Sequence, residues 1–122
     1  MAKLDQIIHD IHNELGADML FIDVVGTDGL SIAAERTQNL DTAAIAARFS
    51  LVEKLAIKVA DKLHLGEVED DLVSGQNGFI LMHVLGDGSY FCLLGLAPEA
   101  PLGVARMVMK DYASALWDAI PR

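Results

Sequence analysis

The stretch that decides the fold is FILMHVLGDGSYFCLLGLA, residues 79–97. It holds two apolar runs, 79–85 and 89–97, separated by the turn sequence Gly86-Asp87-Gly88. Apolar runs of this length on either side of a glycine-rich turn are typical of antiparallel strands. Because each run is apolar on both faces, helices must cover both sides of the sheet. The stretch therefore predicts a three-layer α/β sandwich.

The neighbouring sequence supplies the other strands. Residues 67–74, EVEDDLVS, come before this stretch and complete a meander, and their four carboxylates are typical of an edge strand. Residues 19–25 and 30–35 flank Gly26-Thr27-Asp28-Gly29, whose Asp-Gly pair is a strong hairpin signal. The sequence thus predicts five strands, two before the middle of the chain and three after it.

Three helices are predicted around these strands. Apolar residues repeat at helical spacing in 4–15, directly before Gly16, and again from 102 to 120, after Pro101. Between them lies the longest helix, DTAAIAARFSLVEKLAIKVADKLHL, residues 41–65. We expect one apolar stripe of this middle helix to face the sheet. The stripe is Ile45, Phe49, Val52, Ala56, Val59, Ala60 and Leu63.

The middle helix carries more apolar surface than one sheet can cover. The other sides of the helix carry alanines and further large apolar residues, with lysine and arginine side chains among them. A helix that is apolar all round is normally buried all round, and 122 residues leave too little material to wrap it. We therefore expect a second copy or another protein to cover the rest. The expected contact residues are Ala43, Ala44, Ala47, Arg48, Ser50, Leu51, Lys54, Leu55, Lys58 and Lys62.

Length, composition and charge narrow the function classes. The 122 residues predict a single domain over 1–122, and the single cysteine, Cys92, is expected to be a small buried hydrophobe. The apolar runs are too short for a membrane span, and residues 1–15 lack the features of a signal peptide, so we expect a cytoplasmic protein. A net charge of −9 argues against binding to nucleic acid or to anionic membranes.

The sequence predicts no catalytic site, cofactor or metal ion. No serine lies in a GxSxG pattern, and no glycine turn is followed by the Lys-Ser/Thr of a phosphate loop. Asp5, His9 and His12 share one helix face at a spacing that can hold a metal, but a solvated face is the favoured interpretation. Asp23 interrupts an apolar strand, where we expect a partner such as Arg36 or a backbone donor.

These elements together resemble the Roadblock/LC7 family. The resemblance rests on the order αββαβββα, the Asp28-Gly29 turn before the apolar strand LSIAA, the alanine-rich middle helix and the run from Gly78 to Gly95. It implies a profilin-like α/β sandwich, in which a five-stranded antiparallel sheet carries the long helix on one face and two terminal helices on the other. It also implies pairing of the middle helices in a homodimer or heterodimer, with third strands joined at an edge formed by Val68, Asp70 and Leu72.

The resemblance also implies a function. Bacterial and archaeal members of the family partner Ras-like small GTPases, some as GTPase-activating proteins, whereas eukaryotic relatives are dynein light chains or lysosomal scaffold subunits. The helix at 41–65 occupies the pairing and GTPase-docking position, and ordering of the GTPase switch loops is favoured over an arginine finger from Arg48. In a symmetric dimer the acidic strand would meet itself, a repulsion that Lys58 and Lys62, or a more basic partner chain, would offset. A scaffold subunit and a small-ligand sensor remain as alternatives.

Overall fold

The computed structural model describes residues 2–37 and 39–122, with elements in the predicted order αββαβββα. No helix in these ranges is both long enough and apolar enough to cross a membrane. A short 3-10 turn, Gly16–Asp18, joins the first helix to the first strand. The elements are α1 (Ala2–Leu15), β1 (Met19–Gly26), β2 (Ser31–Arg36), α2 (Thr42–Lys62), β3 (Asp70–Gly75), β4 (Gly78–Leu85), β5 (Tyr90–Leu96) and α3 (Leu102–Ala119).

The five strands form one antiparallel sheet in the order β2-β1-β5-β4-β3. The stretch at 79–97 supplies β4 and β5, and β5 lies at the centre of the sheet between β1 and β4. The register places Leu94 opposite Ile22 of β1 and opposite Leu81 of β4. All three side chains are fully buried, which confirms that the central strands are covered by helices.

The two terminal helices pack together on one face of the sheet. Leu4, Ile8 and Ile11 of α1 meet Met109 and Leu116 of α3 in a core that includes the inward side chains of the central strands. Cys92 belongs to this core and is fully buried, and burial raises the pKa of its thiol. The cysteine is therefore the buried hydrophobe that the sequence predicts.

The long helix α2 covers the other face, but not with the predicted stripe. Val52, Val59 and Leu63 are 40%, 57% and 62% exposed, so their assignment to the core is wrong. Phe49 and Ala46 do pack on Phe21, Phe91 and Leu93 of the sheet. The buried side of α2 is instead partly polar, and its residues are Thr42, Ala46, Phe49, Ser50, Glu53 and Ala60.

Both ends of α2 are fixed by local hydrogen bonds. Asp41 is the N-cap, and its carboxylate accepts a hydrogen bond of 3.1 Å from the backbone N–H of Ala44. At the other end Leu65 N–H donates to the carbonyl of Ala60 at 2.9 Å, while His64 adopts a φ of 57°. This is a Schellman motif, which ends the helix at Lys62, slightly earlier than predicted.

Candidate functional site

The outward side of α2 carries a row of large apolar side chains, which we call the α2 ridge: Leu51, Leu55, Val59 and Leu63. They are 60%, 63%, 57% and 62% exposed. Because they are spaced four residues apart, they follow one side of the helix over about 18 Å. An apolar row of this kind on one helix is typical of a surface that another protein covers.

Basic side chains surround the ridge. Arg48, Lys54, Lys58 and Lys62 are all exposed, so four of the nine Lys and Arg residues lie on this one helix. Asp61 is the exposed carboxylate of α2, since Glu53 is buried. The outward face of α2 is thus positive on a chain whose net charge is −9, which favours a partner surface that is acidic.

The predicted contact residues of α2 are exposed or half-buried with one exception. Ser50 is 5% exposed, and its hydroxyl donates to the carbonyl of Ala47 at 2.7 Å. It faces the β1–β2 turn, where a Cβ added to Gly29 would lie 3.2 Å from its Oγ. Ser50 is therefore corrected from a surface position to a buried one. In its place the structure exposes Val59 and Leu63, which the hydrophobic pattern assigned to the core.

The second feature of the site is the open edge of the sheet at β3. β3 is the last strand of the sheet, with β4 on one side and solvent on the other. Its residues Leu72 and Val73 are 39% and 48% exposed. Val68 was predicted in this strand but lies before it, half-buried against the core beneath α2. A groove lined by Val59 of α2 and by Asp71 of β3 connects this edge to the ridge.

Asp70 lies on this edge, and its carboxylate is paired with an arginine of the same chain. Arg106 of α3 donates to both of its carboxylate oxygens, from Nε at 3.0 Å and from Nη2 at 3.2 Å. A bidentate pair of this geometry neutralises the carboxylate where strands of two copies would meet. Sequence reasoning missed Arg106, because the two residues are 36 positions apart and no local pattern links them.

A buried carboxylate lies beneath α2. Glu53 is 1% exposed, and its burial, with a further contribution from the charge of Asp71, raises its pKa to about 7. Burial followed by the charge of Asp70 also raises the pKa of Asp71. Oε1 of Glu53 and Oδ2 of Asp71 find no hydrogen-bond partner among the described residues. The contact between α2 and the sheet thus includes two carboxyl groups, of Glu53 and Asp71, whose ionised forms are disfavoured.

Asp23 is the second buried carboxylate on this side of the molecule. It is fully buried, and burial raises its pKa to about 6 in spite of the hydrogen bond that the Ser31 hydroxyl donates to it. The predicted partner Arg36 is wrong, because its guanidinium donates to the carbonyl of Leu40 at 3.1 Å. Ser31 lies across the hairpin on β2, so the hairpin brings it to Asp23.

On the opposite side of the sheet, α1 and β2 bring two imidazoles to one carboxylate. Nδ1 of His9 lies 3.3 Å from Oε1 of Glu35, and Nδ1 of His12 is hydrogen-bonded to the same oxygen. Asp5, which the spacing on α1 placed with these histidines, is not part of this group. Partial burial opposes ionisation of Glu35, but the hydrogen bonds from His12 and His9 outweigh it and lower the pKa of the carboxylate.

These features define a class of protein: a small α/β sandwich with an exposed apolar helix face and an open sheet edge. Residues 20–95 match the family model described as the Roadblock/LC7 domain, and the chain belongs to that family. The family resemblance read from the sequence is thereby confirmed.

Similar proteins span most of the chain. Uncharacterized protein MJ0310 of Methanocaldococcus jannaschii is 30% identical over 93 residues, which are 76% of this chain and 80% of that protein. The solved structure of Myxococcus xanthus MglB superposes with a TM-score of 0.88 at 16% identity, covering 97% of this chain and 94% of that one. A Roadblock/LC7 domain from Streptomyces avermitilis superposes with a TM-score of 0.76 at 16% identity, covering 88% and 92%. The structural matches show that the fold is shared.

Proposed function

We propose that this protein is a dimeric, non-catalytic regulator of a Ras-like small GTPase and docks the GTPase on the platform that two paired α2 helices form. The observation that carries the proposal is the α2 ridge, whose four large apolar side chains are all more than half exposed. Membership of the Roadblock/LC7 family supports this class of partner, because the resemblance to its bacterial and archaeal members implies Ras-like GTPases as partners.

Dimerisation would use the ridge and the β3 edge together. A stable interface buries about 800 Å² on each partner, more than one helix face about 18 Å long offers. The groove between Val59 and Asp71 makes the ridge and the edge one continuous surface. Pairing of Asp70 with Arg106 removes part of the repulsion that the acidic sequence predicts between two such edges. A two-fold axis beside β3 would then extend the sheet from one copy into the other.

The regulator would act by positioning alone. Docking on a rigid helix face can order a mobile switch loop of the GTPase and align its own water-positioning residue, which lowers the barrier without chemistry from the regulator. Arg48 is exposed beside the ridge and is the one arginine of α2, but this mode of action requires no arginine finger. The basic face of α2 would also speed association with an acidic GTPase surface.

The experiment is a binding and GTP-hydrolysis assay with Ras-like GTPases from the source organism. Leu55→Arg places a charge at the middle of the ridge, and we expect it to weaken binding at least tenfold and to abolish any acceleration of hydrolysis. Met107→Arg is the matched control, because Met107 is 61% exposed on α3, away from α2. Equal binding by the two variants, both folded by circular dichroism, would exclude docking on the ridge.

The alternative of a scaffold role rests on the same ridge. The rate of GTP hydrolysis distinguishes a scaffold from a regulator. Binding that depends on Leu55 without any change in hydrolysis would identify a scaffold. The small-ligand sensor has less support, because Phe21, Phe49 and Phe91 fill the layer between α2 and the sheet.

A further inference from the structure

We propose that His9, His12 and Glu35 form a binding site for a divalent transition-metal ion of the zinc type. The three side chains come from two elements: the histidines are three positions apart on α1, and Glu35 lies on the edge strand β2. A spacing of three places both imidazoles on the same side of the helix. The sheet face that α1 covers is opposite to α2, so this site is separate from the proposed docking surface.

The distances suit a shared ion. One ligand atom from each residue can be chosen so that all three lie within 4.8 Å of one another. Atoms bound tetrahedrally to zinc at about 2.0–2.1 Å are about 3.3 Å apart. Nδ1 of His9 and Oε1 of Glu35 are already 3.3 Å apart, and Nδ1 of His12 contacts the same carboxylate. Side-chain rotations that separate His12 Nδ1 from Glu35 Oε1 would admit an ion among the three ligands.

The donor set selects the class of metal. Two imidazole nitrogens and one carboxylate oxygen suit zinc and its neighbours in the first transition row, whereas calcium and magnesium prefer oxygen ligands alone. Three protein ligands leave a fourth position for water or for a side chain of another molecule. The carboxylate of Glu35 supplies the negatively charged oxygen ligand of the set, beside the two neutral imidazole nitrogens.

The position of the site gives it a structural consequence. His12 and Glu35 have side chains only 26% exposed, and His9 is more open at 54%. A bound ion would therefore cross-link α1 to the edge strand β2, in place of the hydrogen bonds that join His9 and His12 to Glu35. Because the ion binds only where the chain is folded, its presence would raise the temperature of unfolding.

The test is a titration of the untagged full-length chain with zinc near neutral pH, followed by calorimetry and by competition with a chromophoric chelator. We expect one ion per chain with micromolar or tighter affinity, and a rise in melting temperature that excess chelator reverses. His12→Gln and Glu35→Gln should each weaken binding at least tenfold. Cobalt, as a spectroscopic substitute, should show the visible bands of a tetrahedral site in the unchanged chain.

Two control variants make the result specific. His64→Gln removes an exposed imidazole at the end of α2, and Asp5→Asn removes the carboxylate on α1 that lies outside the cluster. Both should bind zinc as the unchanged chain does. Failure of the unchanged chain to bind zinc at micromolar concentrations overturns the proposal, as does equal binding by His12→Gln and His64→Gln. In either case the cluster is a hydrogen-bonded clasp between α1 and β2.

Discussion

Gly95 lies beneath the aromatic ring of Phe21, its neighbour across β1 and β5. A Cβ added to Gly95 would lie 2.2 Å from Cε1 of that ring, far inside contact distance. The ring belongs to the core under α2, so it has little room to move aside. We predict that Gly95→Ala lowers the free energy of unfolding by about 2 kcal/mol, as overpacking of a core does.

Urea denaturation monitored by circular dichroism measures the effect of Gly95→Ala. Gly103→Ala is the matched control, because a Cβ at Gly103 meets nothing within 4 Å and the residue lies in the first turn of α3. We expect the control to be neutral or slightly stabilising, since alanine favours helix over glycine. If both variants unfold at the same urea concentration, the close packing of Phe21 on Gly95 is not a source of stability.

At the scale of the element, α2 makes stability depend on pH through Glu53. Its pKa lies near 4.5 when the chain is unfolded and at about 7 in the folded protein, because burial disfavours the charged form. As pH rises from 4.5 to 7, the unfolded state releases this proton first and is favoured relative to the folded state. We predict that Glu53 alone costs about 3 kcal/mol of stability across this window, which stays lost above pH 7.

Asp23, whose pKa is about 6, also lowers the stability as pH rises, but over a lower range of pH. The variant Glu53→Gln separates the two contributions. In chemical denaturation from pH 4 to 8, the variant should decline less steeply than the unchanged chain between pH 4.5 and 6, where Asp23 still contributes, and should lose most of the decline between pH 6 and 7. Asp61→Asn removes an exposed carboxylate of the same helix and should follow the unchanged chain. A Glu53→Gln profile that parallels the unchanged chain would show that the carboxylate does not titrate in this window.

The same helix shows how far sequence alone reaches. Local chemistry limits its N-cap to Asn39 or Asp41 and places its end near His64, and the structure has Asp41 as the cap and the end at that position. Its rotation does not follow, because a helix with apolar residues on every side gives no single preferred arc. Thr42, Ser50 and Glu53 are buried, and the rotation of the helix that buries them leaves Val59 and Leu63 on the outward side. A prediction from the hydrophobic pattern alone buries the apolar residues and exposes the polar ones, which is the opposite arrangement.

The sheet was more predictable than the contacts between distant elements. The doubly apolar runs and the glycine turns of 79–97 correctly predict two central strands, since each signal lies within a few residues. Asp70 and Arg106 are 36 positions apart, and His12 and Glu35 are 23 apart. Such pairs depend on how helices cross the sheet, which no short window of sequence contains. Which residues of α2 contact a partner stays a prediction until binding to that partner is measured.

At the scale of the whole molecule, the ridge and the open β3 edge predict a dimer. Exposed apolar patches and unpaired strand edges are normally covered, and a second copy can cover both at once. We predict a solution mass near twice the 13.1 kDa of the chain by light scattering during gel filtration, at every concentration tested. A monomer at all concentrations would contradict this and would favour a different, more basic partner chain.

Two variants divide the predicted interface. Val73→Lys charges the β3 edge, where Val73 is 48% exposed, and leaves the ridge unchanged, whereas Leu55→Arg charges the ridge and leaves the edge unchanged. If helix and edge form one surface, each variant shifts the mass toward that of a monomer, while Met107→Arg on α3 does not. A mass that responds to Leu55→Arg alone would confine the contact between copies to α2 and leave β3 free for another protein. A mass that responds to Val73→Lys alone would confine the contact between copies to the β3 edge, and each α2 helix would then be a separate docking surface for a GTPase.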